Sequence, residues 1–93
     1  MIVGTAEVTC RVPSSTSLKE KRSVIKSGLQ RIQHRFNLSV AEVGHQDHRQ
    51  LALLALAGVA SNKKIVEHQI QQALRLLEEK EGLEILDTVV TLL

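Results

Sequence analysis

Hydrophobic and polar residues alternate from Ile2 to Val12. Ile2, Ala6, Val8, Cys10 and Val12 fall on one side, and Val3, Thr5, Glu7, Thr9 and Arg11 on the other. A period of two with β-branched residues predicts a strand with one buried and one mixed face. Pro13 ends it, and Ser14, Ser15 and Thr16 form a loop. The period then changes. Ser17-Leu18-Lys19-Glu20 matches a capping box, in which the Ser17 hydroxyl accepts from the Glu20 amide and Glu20 reaches back. Leu18, Ile25, Leu29, Ile32 and Phe36 recur at steps of seven, four, three and four, predicting a helix to about Phe36. Gly28 within it costs about 1 kcal/mol relative to Ala. A close approach to the sheet or to a second helix is expected there.

Asn37 stops the helix, and Leu38–Val43 reads as a second strand. Gly44 to Arg49 is too polar for a core and reads as a hairpin turn. Leu51–Ala60 carries leucines on both faces, Leu51 and Leu53 on one and Leu54 and Leu56 on the other, the pattern of a strand buried on both sides. Ser61 or Asn62 caps a second helix, in which Val66, Ile70, Ala73 and Leu77 recur at steps of four, three and four. Gly82 is placed to be its C′ residue, and Leu83–Leu93 forms the last strand. The order β-α-β-β-α-β with right-handed crossovers predicts a single α+β domain over residues 1–93, a ferredoxin-like sandwich. Its antiparallel sheet has the order 4-1-3-2, with both helices on one face. The other face then needs a cover of its own. Val3, Thr5, Ala41, Val43, Leu51 and Leu53 are expected to form a homodimer face.

Composition changes this picture in two ways. Phe36 is the only aromatic residue, so the core must be aliphatic. The net charge of +2 is small but unevenly placed. Lys19, Lys21, Arg22, Lys26, Arg31 and Arg35 face a single acid, Glu20, along the first helix, whereas Glu78, Glu79, Glu81, Glu84 and Asp87 outnumber Lys80 near the C-terminus. The lone Cys10 cannot form an internal disulfide. With no leader pattern at Met1 and no apolar run of membrane-spanning length, a cytoplasmic protein is expected.

Six cations on one helix are suited to a nucleic-acid backbone, bound without sequence preference and in a salt-dependent way. The alternative is a solvated helix surface, usual for Lys and Arg, and the absence of balancing acids sets the two accounts level. Ser14, Ser15 and Ser17 before a helix N-terminus form a candidate anion-binding loop, or simply cap that helix. Base stacking on the open sheet face is excluded, because no aromatic residue lies there. His45-Gln46-Asp47-His48 is the densest group of potential metal ligands. A polar turn carrying two histidines is the simpler account, and neither a metal nor another cofactor is expected. Cys10 lies on the predicted core face as a small apolar filler. Glu7 and Glu42 sit on strands, where an ion pair with Arg11 across the open face suits one of them better than catalysis. No catalytic residue stands out. The glycine-flanked phosphate loop of acylphosphatases and the CxxC of copper-binding domains, which share this sandwich, are both missing.

Ser17-Leu18-Lys19-Glu20-Lys21-Arg22, then Ser39-Val40-Ala41-Glu42-Val43 and His45-Gln46-Asp47, resemble the bacterial YlxP-like family of short proteins of unknown function. The resemblance spans the chain. It implies a ferredoxin-like fold, a bacterial cytoplasmic setting and genes that often neighbour translation initiation and ribosome-maturation factors. It supplies no catalytic residue. The chain departs from the family at Gly44, where relatives often carry an acid, and at Arg49, where Trp is common. Residues and resemblance together lead to the expectation of a small non-enzymatic factor. It would associate with RNA or a ribosomal subunit through its first helix, as a homodimer with no membrane partner. The alternatives are a protein-interaction module using the open face and a small-ligand or metal-binding regulatory domain using His45, Asp47 and His48.

Overall fold

The computed structural model describes residues 1–93. Its elements are β1 (Ile2–Arg11), α1 (Leu18–Arg35), β2 (Ser39–Gly44), β3 (Leu51–Ala60), α2 (Lys63–Glu79) and β4 (Glu84–Leu92). The sheet order is β2-β3-β1-β4 with every neighbouring pair antiparallel, which is the expected 4-1-3-2 order read from the other edge. The ferredoxin-like α+β sandwich is therefore present.

The alternation in β1 and β3 decides where the core lies. Ala6, Val8, Cys10, Ala52, Leu54 and Leu56 are each 0 % exposed beneath the helices. Ile25 and Ile32 of α1 and Val66, Ile70, Ala73 and Leu77 of α2 close over them. Small residues let the layers meet. A Cβ on Gly4 would lie 2.8 Å from Val66 Cγ2 and 3.0 Å from Ile70 Cδ1. A Cβ on Gly28 would lie 3.3 Å from Lys80 Cδ and 3.4 Å from Leu77 Cδ2, so the mid-helix glycine marks the close approach of α1 to α2.

Element ends differ from expectation by a residue or so. Val12, Leu38 and Leu83 lie outside the strands yet are buried. Asn62 rather than Ser61 caps α2, its Oδ1 accepting from the Ile65 amide at 3.0 Å. Gly82 is not the C′ residue, because α2 ends at Glu79 with Lys80 as cap. Gly82 instead supplies the positive φ of 82° in the turn into β4. The face away from the helices has no cover within the chain. Val43, Val59 and Val89 are 49 %, 52 % and 50 % exposed.

Gly4→Ala forces a methyl against the β-branched, fully packed Val66. The expected cost is about 1–3 kcal/mol, read from the shift of the urea midpoint at unchanged m-value.

Candidate nucleic-acid interface

The cations of α1 do not form one surface, because the helix turns them in different directions. At about 100° per residue, Lys19, Arg22 and Lys26 share one exposed stripe. Arg31 and Arg35 lie on another flank, facing α2. There, with His34, Leu76 and Glu79, they line a groove of about 420 Å³ between the helices. All five are exposed. The three ion pairs of the molecule are Arg11–Glu84, Lys21–Glu42 and Lys63–Glu67, so none of the five has an acidic partner. Arg35 does lie 5.6 Å from the centre of the Phe36 ring, which holds its guanidinium at the end of the helix.

Lys21 is the correction. It is 0 % exposed and cannot reach a phosphate. Its Nζ donates to the carbonyl oxygens of His45 and Leu51, each at 2.9 Å, and lies 2.9 Å from Glu42 Oε2. The Glu42 contact lacks hydrogen-bond alignment and is therefore Coulombic. Two carbonyl acceptors and one adjacent carboxylate charge together replace the water of the ammonium, which is what allows it to be buried. Lys21, Ile25, Gly28 and Ile32 follow one another at steps of four, three and four, all buried. That inward stripe was visible in the spacing. Charge alone made Lys21 look like a surface residue.

The loop serines are committed to the helix rather than to an anion. Ser15, 4 % exposed, donates its hydroxyl to the Ser17 carbonyl at 2.8 Å. Ser17 Oγ accepts from the Glu20 amide at 3.1 Å, completing the N-cap. Glu20 reaches back to Thr16, accepting from its amide at 3.0 Å and its hydroxyl at 3.1 Å. A carboxylate thus already occupies the place where a phosphate would sit. Ser14 is exposed, but one hydroxyl makes no cradle.

Across the loop, the β2–β3 turn forms the other wall of a polar cleft of about 580 Å³, lined by Ser15, Thr16, Asp47, His48, Arg49 and Gln50. His45 opens the turn at φ 56°. His48 Nδ1 accepts from the amides of Gln50 and Leu51, both at 3.0 Å, so this nitrogen is not free for a metal. No group of three or more His, Cys, Asp or Glu side chains gathers as a metal site.

Glu42 and Arg11 also differ from expectation. Glu42 points to the helix side, where Lys21 takes it, and Arg11 pairs with Glu84 at 3.2 Å on the open face. Glu7 has no ion pair. The strand register places Val3, Thr5, Ala41, Leu51 and Leu53 on the open face, with Val43 at a bulge of β2. Cys10 is buried, and its thiol is pushed up from 9.0 to about 11 by that burial, then by Glu42, with Lys21 opposing.

These features define a one-sided α+β sandwich with a buried lysine clamp and unpaired cations on its first helix. The chain belongs to the family described as "Protein of unknown function (DUF503)", whose model matches residues 3–90. It is 38 % identical over 77 residues to the uncharacterized protein YlxP of Bacillus subtilis (strain 168), covering 83 % of this chain and 84 % of that protein.

Two variants check this geometry. Lys21→Met is expected to cost about 3 kcal/mol in urea unfolding, since it leaves Glu42, its side chain only 15 % exposed, without a counter-charge. A merely superficial lysine would change stability by less than about 0.5 kcal/mol. For Cys10, the unfolded thiol ionises first and the native one stays protonated to about 11, so its contribution to stability is complete below pH 9.0 and falls as pH rises to about 11. The stability difference between wild type and Cys10→Ala is expected to shrink across that window.

Proposed function

We propose that this protein is a small non-enzymatic factor that associates with RNA, on the ribosome or during its assembly, through the exposed cations of α1. The observation that carries the reading is that Lys19, Arg22, Lys26, Arg31 and Arg35 are all exposed on one helix and none is held in an ion pair, although Glu79 shares the groove of Arg31 and Arg35. Each is free to displace a counterion from a phosphate, the origin of sequence-independent, salt-sensitive binding. The stripe of Lys19, Arg22 and Lys26 supplies two point-charge ammonium groups and one guanidinium. The forked guanidinia of Arg31 and Arg35 suit bidentate phosphate contacts in the inter-helix groove.

A non-catalytic role is supported by the state of the one thiol, buried and raised to about 11, where it is a poor nucleophile. A cytoplasmic setting agrees with a free cysteine that no second cysteine can bridge. No helix is long and apolar enough to cross a membrane.

The combined variant Lys19→Glu, Arg22→Glu, Lys26→Glu is expected to weaken binding to ribosomal subunits and to structured RNA. It should flatten the plot of log K against log salt by about 2–3, the loss of three phosphate contacts. Filter binding across a salt series reads both quantities. Unchanged affinity and slope would return these residues to the role of a solvated surface.

A further inference from the structure

The open sheet face carries a charge pattern with a symmetry of its own. Register sets its side chains in rows across the strands. Leu51, Arg11 and Glu84 form one row, Leu53, Thr9 and Asp87 the next, and Ala41, Ala55, Glu7 and Val89 the third. Glu7 and Arg11 therefore stand one row to either side of Thr9 on the same strand. Glu7 is exposed and unpaired. Arg11 uses only Nη2, shared between the two oxygens of Glu84 at 3.2 and 3.4 Å, so Nε and Nη1 remain uncommitted.

A two-fold contact has to be complementary to itself. An axis laid along the Thr9 row exchanges the rows on either side of it. Glu7 of each copy then comes to face Arg11 of the other, and Leu51 comes to face Ala55, a large side chain over a small one. Leu53 meets its own counterpart. Packed sheets stand about 10 Å apart, a gap that a glutamate and an arginine reaching from opposite sides span. We propose that a second copy of this chain covers the open sheet face, its strands antiparallel to the first, with reciprocal Glu7–Arg11 ion pairs about a two-fold axis at Thr9.

The overlap sets the strength. Four strands about 4.8 Å apart, overlapping over roughly 20 Å, bury on the order of 400 Å² on each side. That lies below the usual size of a permanent interface, so the dimer is weak and concentration-dependent. One repulsion is built in. Asp87, in the Thr9 row but on the outer strand β4, faces its counterpart across the wet rim. A nucleic acid is a poor occupant of this face, because Glu7 and Asp87 repel phosphate. Both copies of α1 stay outermost, so the inference stands or falls independently of RNA binding.

Sedimentation equilibrium from about 10 µM to about 1 mM covers the range for a contact of this size. Wild type is expected to dimerise within it. Glu7→Arg and Arg11→Glu should each weaken the dimer by about tenfold or more, and the double exchange should restore it. Glu84→Gln removes the intramolecular partner of Arg11 and controls for the fold; it should leave the dimer intact, and Asp87→Asn should tighten it. A monomer throughout the range would overturn the proposal and leave the face to another protein. A dimer indifferent to both charges would overturn it in favour of a different surface. Weak single variants that the double exchange does not rescue would overturn the pairing.

Discussion

An ammonium group inside a small protein is tolerated only where hydrogen-bond acceptors and an opposite charge replace its water. Lys21 meets that demand with oxygen atoms from three different segments. Glu42 comes from β2, the His45 carbonyl from the turn, and the Leu51 carbonyl from the first residue of β3. One side chain of α1 thus fixes where β2 ends, how the turn begins and where β3 starts. Desolvation of the charge is offset only while all three are in place. The left-handed backbone at His45, φ 56°, is held by the same constraint, since the carbonyl it presents accepts from both Lys21 Nζ and the His48 amide.

The clamp matters because the core beside it is thin. With a single aromatic residue, and that one only half-buried at Phe36, the chain gains burial by close approach rather than by large side chains. Gly4 admits Val66 and Ile70, Gly58 admits Leu38, and Ala6, Ala52 and Ala73 line the seam between sheet and helices. Close approach gives dense packing, but it leaves little apolar area to bury in total. A domain of this length is modestly stable for that reason, and a polar clamp that ties its hairpin to its helix carries proportionately more of the specificity.

Most of the fold was legible in periodicity. The alternation of β1 and the steps of four and three in α2 each correspond to an observed buried set. The two-faced leucines of β3 do so only on the helix side, where Leu54 and Leu56 are buried, whereas Leu51 and Leu53 on the open face are half-buried because no element of the chain covers them. What misled was residue type set against position. Lys21 continues the inward stripe of Ile25, Gly28 and Ile32, but a lysine normally signals solvent, and its three oxygen partners lie 21 to 30 residues further on. No local pattern announces them. The serine loop misled for the complementary reason. Hydroxyls before a helix suit an anion or a cap equally well, and only the reach of Glu20 to Thr16 shows which use they serve. Arg11 took Glu84 rather than Glu7 or Glu42 because β4 lies beside β1, a neighbour relation set by topology and not by sequence distance.

Burial of Lys21 leaves the charge separation of the two sides in place. The helical side keeps five unpaired cations on α1, while the sheet side carries Glu7, Asp87 and the neutralised pair Arg11–Glu84. A polyanion laid against α1 would meet cations, and one laid against Glu7 and Asp87 would meet like charge, with a layer of sheet between. The two sides therefore do not compete for one partner, and changes to either can be read without disturbing the other. The apolar rows around Glu7 are incompatible with permanent exposure to a phosphate backbone and compatible with a protein surface that brings a guanidinium. The same strand already carries such a guanidinium, two rows away.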